Sequence, residues 1–227
     1  MCIKFWMKNL TMEYIYEAHD IIPKLTCQKL IEEFENNPTR HTGTFGSTVK
    51  ASNLMIKNTI DATLPKESPT WDILDKYIYP TMGNYFQHLY NNAFHENHII
   101  LNEYFGKDIN STGYRFQKYD VGGHYSWHTD EDHARTRLFG YIIYLNDLDD
   151  DCGGCTEFRN GRKIKPETGK IAFFPSTWTY PHRGQVVQKG VKYIITGFIV
   201  RNLPLEYHHT VVENAKCGKF GPIGLKG

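Results

Sequence analysis

The segment YSWHTDED, residues 125–132, carries an imidazole and a carboxylate two positions apart, at His128 and Asp130. On a β-strand, residues i and i+2 face the same side, so both groups could reach one cation from a single short segment. The best candidate for a third ligand is His182, in the later run Tyr-Pro-His-Arg-Gly. Pro181 restricts the backbone just before it, and a β-rich segment follows. Two histidines and one carboxylate form the facial donor set of mononuclear non-heme iron, with the opposite face of the octahedron open. Taken alone, His-x-Asp is also what chance would place in a chain with 11 histidines and 25 acids.

Three nearby features bear on that choice. Lys192 opens the run KYIITGFIV, where period-two alternation puts it on the face of Ile194, Thr196 and Phe198. An ammonium on such a core-like face is costly unless it meets an anion, although a strand-end lysine can also snorkel to water. Arg115, Gln117 and Tyr119 share one face of the strand before the His-x-Asp segment. That face fits a ligand-lined barrel interior and equally fits a solvent face. Gly122-Gly123 gives the backbone room to turn into the ligand strand.

The elements that must position these groups fall into two halves. Residues 24–37, KLTCQKLIEEFENN, read as a helix, with Thr26 as its N-cap and Leu30, Ile31 and Phe34 on one side. Residues 70–94 carry a longer helical pattern through Trp71, Leu74, Ile78, Met82, Phe86 and Leu89, which Pro80 is expected to divide. Between them, 41–53 reads as loop with a short strand. From about residue 112 the texture changes to the runs YRFQKYD, HYSWHTD, RLFGYIIYLND, CTEF, RKIKP, GKIAFFP, YPHRGQVV and KYIITGFIV, separated by Gly, Asp and Pro. Strands at that spacing imply a sandwich or barrel, and helices before strands imply α+β with the helices packed on one face of the β core.

Composition narrows the partners. With 26 basic and 25 acidic residues the charge is balanced, and phosphate-driven nucleic-acid binding normally leaves a basic excess. The five cysteines are scattered and odd in number, which suits a reducing compartment better than a disulfide framework. No run approaches the roughly 18 apolar residues of a membrane span, and Lys, Asn and Glu interrupt the N-terminal residues before a signal peptide could form. A cytoplasmic protein is expected. Cys152-Gly-Gly-Cys155 lacks a second pair for zinc and reads as a turn, and Asp147, Asp149 and Asp151 form a solvated acidic turn.

The ordered motifs YDVGGHYSWHTD, RLFGYIIYLND, CGGCTEF, GKIAFFPS, PHRG and VKYIITGFI resemble the prolyl 4-hydroxylase-like branch of the iron(II)/2-oxoglutarate-dependent dioxygenases. The resemblance spans roughly residues 112–201 and extends more weakly to LTCQKLIEEFE. It implies a double-stranded β-helix (jelly-roll, cupin-like) core at 112–202, supported by a helical and loop segment at 1–111, with 203–227 as a loosely ordered tail. It also implies that His128, Asp130 and His182 hold iron(II), and that Lys192 pairs with the distal carboxylate of 2-oxoglutarate. Tyr119 and Thr156 would donate hydrogen bonds to that carboxylate, with Tyr144 a further candidate. Arg137 matches a position near the peptide substrate. Arg137 and Tyr144 have opposite parity, so a bulge must intervene if both belong to the site. Cys155 stands where relatives carry Glu, and Phe198 where they often carry Trp.

The reaction so implied is hydroxylation of an unactivated C–H bond, with dioxygen consumed and succinate and carbon dioxide released. Ascorbate would serve as a reductant. Asp130 favours hydroxylation over halogenation, since related halogenases lack this carboxylate. The expected substrate is a prolyl residue of a peptide or protein. A small-molecule or free amino-acid hydroxylase, and a cupin-like metal-binding domain without oxygen chemistry, are the alternatives. Loops 41–53 and 131–137 are expected to cover the substrate.

Overall fold

Most of the apolar alternation in the second half resolves into two antiparallel sheets that share a core. The computed structural model describes residues 14–46, 50–93, 109–131 and 136–202. The expected ordering of the 203–227 tail and the reading of the first residues as lacking a signal lie outside these.

The larger sheet runs in the order β1 (Tyr16–Ala18), β11 (Ile171–Pro175), β8 (Arg137–Tyr144), β13 (Lys192–Arg201), β6 (Arg115–Tyr119), β4 (Ile60–Thr63) and β2 (His41–Thr42). A further strand, β5 (Ile109–Ser111), also pairs with β13. The smaller sheet runs β10 (Lys163–Ile164), β9 (Thr156–Phe158), β12 (His182–Gly184), β7 (His124–His128) and β3 (Lys57–Asn58). Every strand expected from the sequence after residue 112 is present.

Period-two alternation sorts the large sheet into two faces. Phe139, Tyr141, Ile143, Phe173 and Ile195 point outward into one apolar cluster with the helices. Ile142, Tyr144, Ala172, Phe174 and Ile194 point inward and meet Phe158 and Ile164 of the small sheet in a second cluster. The molecule is thus a double-stranded β-helix core with helices on one outer face, as expected.

Helix α1 (Lys24–Glu35) buries Cys27, Leu30 and Phe34 on one stripe. Thr26 is not its cap. Pro23 (φ −57°, ψ 140°) already sets the entry to the helix, so Thr26 sits inside the first turn, and no side chain caps the end. Helix α2 (Pro69–Ala93) runs unbroken through Pro80 rather than dividing there. Leu74 and Ile78 before the proline, and Tyr85 and Leu89 after it, are buried in the same cluster, which outweighs one lost backbone hydrogen bond. Tyr85 stacks on Phe173, with ring centroids 5.3 Å apart.

The first half of the chain supplies more than helix and loop. Strands β1 to β4 extend three sheet edges. In the run KNTIDAT, Lys57 and Asp61 are both buried, so the polar residues that argue against a strand are turned inward. At the sheet edge Gly113 adopts φ +91°, and a Cβ there would overlap the Trp71 ring, so only glycine fits.

Candidate active site

Strands β7 and β12 lie side by side, with His128 directly opposite His182. The imidazole centroids are 4.3 Å apart. Asp130 is not on the strand with His128, as period-two logic had it. Strand β7 ends at His128, and Asp130 turns back toward the pair from two residues beyond. Its carboxylate lies 3.7 Å from His128 Nε2 and 3.5 Å from His182 Nε2. One donor atom from each of the three residues falls within 4.8 Å of the others.

The tautomers suit metal binding. His128 Nδ1 lies 2.8 Å from the Ser126 carbonyl and His182 Nδ1 lies 3.1 Å from the Tyr180 carbonyl. Each carbonyl accepts a hydrogen bond from Nδ1–H, which leaves Nε2 with a lone pair aimed at the cluster. Burial, reinforced by the neighbouring His182, lowers the His128 pKa to about 4 and keeps the ring neutral. Two imidazoles and a carboxylate match the facial set of non-heme iron(II).

Glycine clears the space for the carboxylate. A Cβ on Gly140 of β8 would lie 2.9 Å from Asp130 Oδ2 and 2.9 Å from the Phe174 ring. On the other side the Tyr125 ring stacks on His128 at 3.6 Å, and the Lys57 ammonium sits 5.2 Å from the centroid of that tyrosine. Lys57 is in turn paired with Asp61 at 2.6 Å, with both side chains at most 1% exposed. Sequence reasoning passed over Gly140, Tyr125, Lys57 and Asp61. A glycine in the middle of the apolar run RLFGYIIY was the one available signal, since an isolated strand glycine often marks close approach.

The cluster opens into a cavity of about 530 Å³. Arg115, Gln117 and Tyr119 all line it, so that polar face is the interior one. Lys192, Ile194, Thr196 and Phe198 line it as well. Lys192 is 1% exposed. Its ammonium donates to the Gly154 carbonyl at 2.9 Å and lies 3.9 Å from the centre of the Tyr119 ring. It pairs with no carboxylate among the described residues, and burial lowers its pKa to about 7. Lys57 also lines the cavity but is neutralised by Asp61. An anion entering the cavity therefore gains most at Lys192.

The other expected residues separate into layers. Thr156 lines the cavity, whereas Tyr144 is not among the lining residues and donates its hydroxyl proton to Thr156 Oγ1 at 2.8 Å. Tyr144 thus stands behind Thr156 rather than against the cavity. The Tyr119 hydroxyl donates to Gln117 Oε1 at 2.9 Å and offers Lys192 its ring face. Register between β8 and β13 shifts where Val200 pairs with Arg137, and this bulge brings Arg137 onto the cavity side. The Arg137 guanidinium donates to the Asp130 backbone carbonyl at 3.1 Å and lies 4.0 Å from the centre of the Phe198 ring. Thr44, Phe45, Gly46, Lys50 and Glu131 from the expected covering loops line the cavity, while 47–49 and 132–135 lie outside the described residues.

Known proteins agree with this geometry. The family model of the 2OG-Fe(II) oxygenase superfamily matches residues 114–200, the stretch that supplies most of the cavity lining. That stretch is similar to a 2OG-Fe(II) oxygenase domain, and with the His-Asp-His cluster it supports a 2-oxoglutarate-dependent dioxygenase whose reaction uses iron(II), 2-oxoglutarate and dioxygen. Its fold is that of prolyl hydroxylases. A viral collagen prolyl hydroxylase from Paramecium bursaria Chlorella virus-1, solved with 2OG, superposes with a TM-score of 0.61 at 19% identity, covering 84% of this chain and 97% of that one. A Trichoplax adhaerens prolyl hydroxylase, solved with a hypoxia inducible factor peptide fragment, gives 0.63 at 16% identity over 82% and 83%. A Pseudomonas putida prolyl-4-hydroxylase gives 0.61 at 18% over 85% and 95%. No curated protein matches the sequence significantly. Among the described residues no helix is long and apolar enough to cross a membrane.

Proposed function

We propose that this chain hydroxylates a prolyl residue in a peptide or protein, with 112–202 as its catalytic core. The observation that carries the reading is the buried Lys192, without a carboxylate partner among the described residues, facing the same cavity as His128, Asp130 and His182. One end of that cavity suits a metal and the other suits the far carboxylate of a dicarboxylic 2-oxo acid. The prolyl part rests on the fold shared with prolyl hydroxylases, one of which was solved with a peptide.

In this reading His128, Asp130 and His182 hold iron(II), and the bound metal with its 2-oxo acid supplies oxygen activation. Every other task falls to the chain. Lys192 neutralises the distal carboxylate, and Thr156 donates a hydrogen bond to it with Tyr144 fixing the Thr156 hydroxyl. Ile142, Ile194 and Phe174 keep water from the reacting centre. Arg137 anchors the backbone that carries Asp130 and lines the substrate side of the cavity.

The test is to incubate iron-loaded protein with 2-oxoglutarate and a library of proline-containing peptides, reading succinate release and a mass gain of one oxygen atom. His128→Ala should release no succinate. A mass gain on free proline alone would favour a small-molecule hydroxylase instead.

A further inference from the structure

The cavity carries more positive charge than this reaction uses. Five basic side chains line it, Lys50, Lys57, Arg115, Arg137 and Lys192, against two acids, Asp130 and Glu131. Lys57 is neutralised from behind by Asp61. Lys192 faces the co-substrate end, and Arg137 is held by the Asp130 carbonyl and the Phe198 ring. Glu131 accepts from the Trp178 backbone N–H at 3.2 Å. Arg115 remains. It is half-buried, and among the described residues its side chain has no hydrogen-bond or ion-pair partner.

Register fixes where Arg115 stands. On the β6–β13 ladder Lys192 lies opposite Tyr119, and Arg115 lies opposite Thr196. Four residues of strand separate those two levels by about 13 Å. A 2-oxo acid seated on Lys192 therefore does not reach Arg115. Across the sheet, Gly140, which abuts the Asp130 carboxylate, lies opposite Phe198 on the same inward face of β13, two residues beyond Thr196. Arg115 thus stands near the level of the metal cluster, on the substrate side of the cavity. Arg115 also faces Lys57, and the two like charges oppose each other. A guanidinium placed there without an acid is stabilised when a substrate brings one.

We propose that Arg115 binds a carboxylate of the primary substrate, so that the chain selects a target with an acidic group close to the carbon that is hydroxylated. In a peptide this is an Asp or Glu side chain flanking the proline, and in this form the inference rests on the prolyl reading above.

The experiment measures binding and turnover separately, with the full chain. Paired proline peptides differing only in Asp against Asn, or Glu against Gln, beside the proline are titrated by fluorescence anisotropy and assayed for hydroxylation with iron(II) and 2-oxoglutarate. The acidic member should bind about 10-fold tighter or better, in line with a charge-assisted pair. Arg115→Gln should remove the preference and Arg115→Lys should keep part of it. Calorimetric binding of 2-oxoglutarate to each variant reports that it is folded. Equal affinity for both members of every pair, or a preference that survives in a folded Arg115→Gln, overturns the proposal. If acidic peptides bind in an Arg115-dependent way but none is hydroxylated, the prolyl reading fails and this one stands. If free amino acids show the Arg115 dependence instead, the carboxylate is theirs and the substrate is small. Hydroxylation indifferent to the flanking acid leaves the prolyl reading and removes this one.

Discussion

A methyl group at Gly140 would lie 2.9 Å from Asp130 Oδ2, closer than real side chains approach one another. The carboxylate keeps its place beside the two imidazoles only because β8 has no side chain at that point. Gly140→Ala must push Asp130 or Phe174 aside, at a stability cost of roughly 1–3 kcal/mol. The expected outcome is at least a 10-fold loss of iron(II) or cobalt(II) affinity in a chain that still melts cooperatively. Metal titration followed by thermal denaturation checks both halves.

Gly184 clears the opposite end. A Cβ there would sit 3.5 Å from the Tyr119 ring and 3.7 Å from Lys192 Nζ, ordinary contact distances that leave no room for further atoms. Gly184→Ala should be tolerated. Gly184→Val fills the lane between metal and ammonium, so affinity for 2-oxoglutarate should fall by more than 10-fold while metal affinity holds. Calorimetry with each ligand separates the two.

If Lys192 seats the co-substrate as proposed, binding is linked to pH. Its pKa is lowered from 10.5 to about 7 in the folded chain, chiefly by burial. Between those values the unfolded chain holds a proton that the folded chain lacks, so this group makes the ligand-free protein more stable as pH rises through the window. A bound dicarboxylate restores the charge, and binding at pH 8 should take up nearly one proton, against almost none at pH 6. Binding enthalpies in buffers of different ionisation heat measure the uptake. Lys192→Met should abolish it and weaken binding about 10- to 100-fold.

The Lys57–Asp61 pair is fully enclosed, at 2.6 Å, and the Thr59 hydroxyl donates to the second Asp61 oxygen. Asp61→Asn leaves an ammonium buried without its partner and should cost about 3–5 kcal/mol. Lys57→Met combined with Asp61→Leu should recover most of that loss. Urea unfolding of the three variants decides; additive losses would mean the pair has no special standing.

Much of this molecule is legible from its residues alone. Short-range periodicity placed the strands after residue 112, because alternating burial leaves a period of two in the chain itself. The types His, Asp and His named a donor set that the structure brings together, and Lys192 a candidate anion seat, since few other side chains can fill those roles. Pattern failed where polar residues face inward: β3 and β4 were passed over because Lys57 and Asp61 satisfy each other out of water. It failed again at Thr26 and Pro80, where Pro23 and the packing on both sides of the break outweighed local preference.

The sequence determined which atoms were available for metal, co-substrate and substrate. Only the tertiary structure decided which of them meet. It closed β7 against β12, turned Asp130 back past the strand end, set Tyr144 behind Thr156 and, among the described residues, left Arg115 without an acid. Those outcomes depend on register, bulges and the absence of a Cβ at two glycines, all properties of strands distant in the chain that no local pattern records.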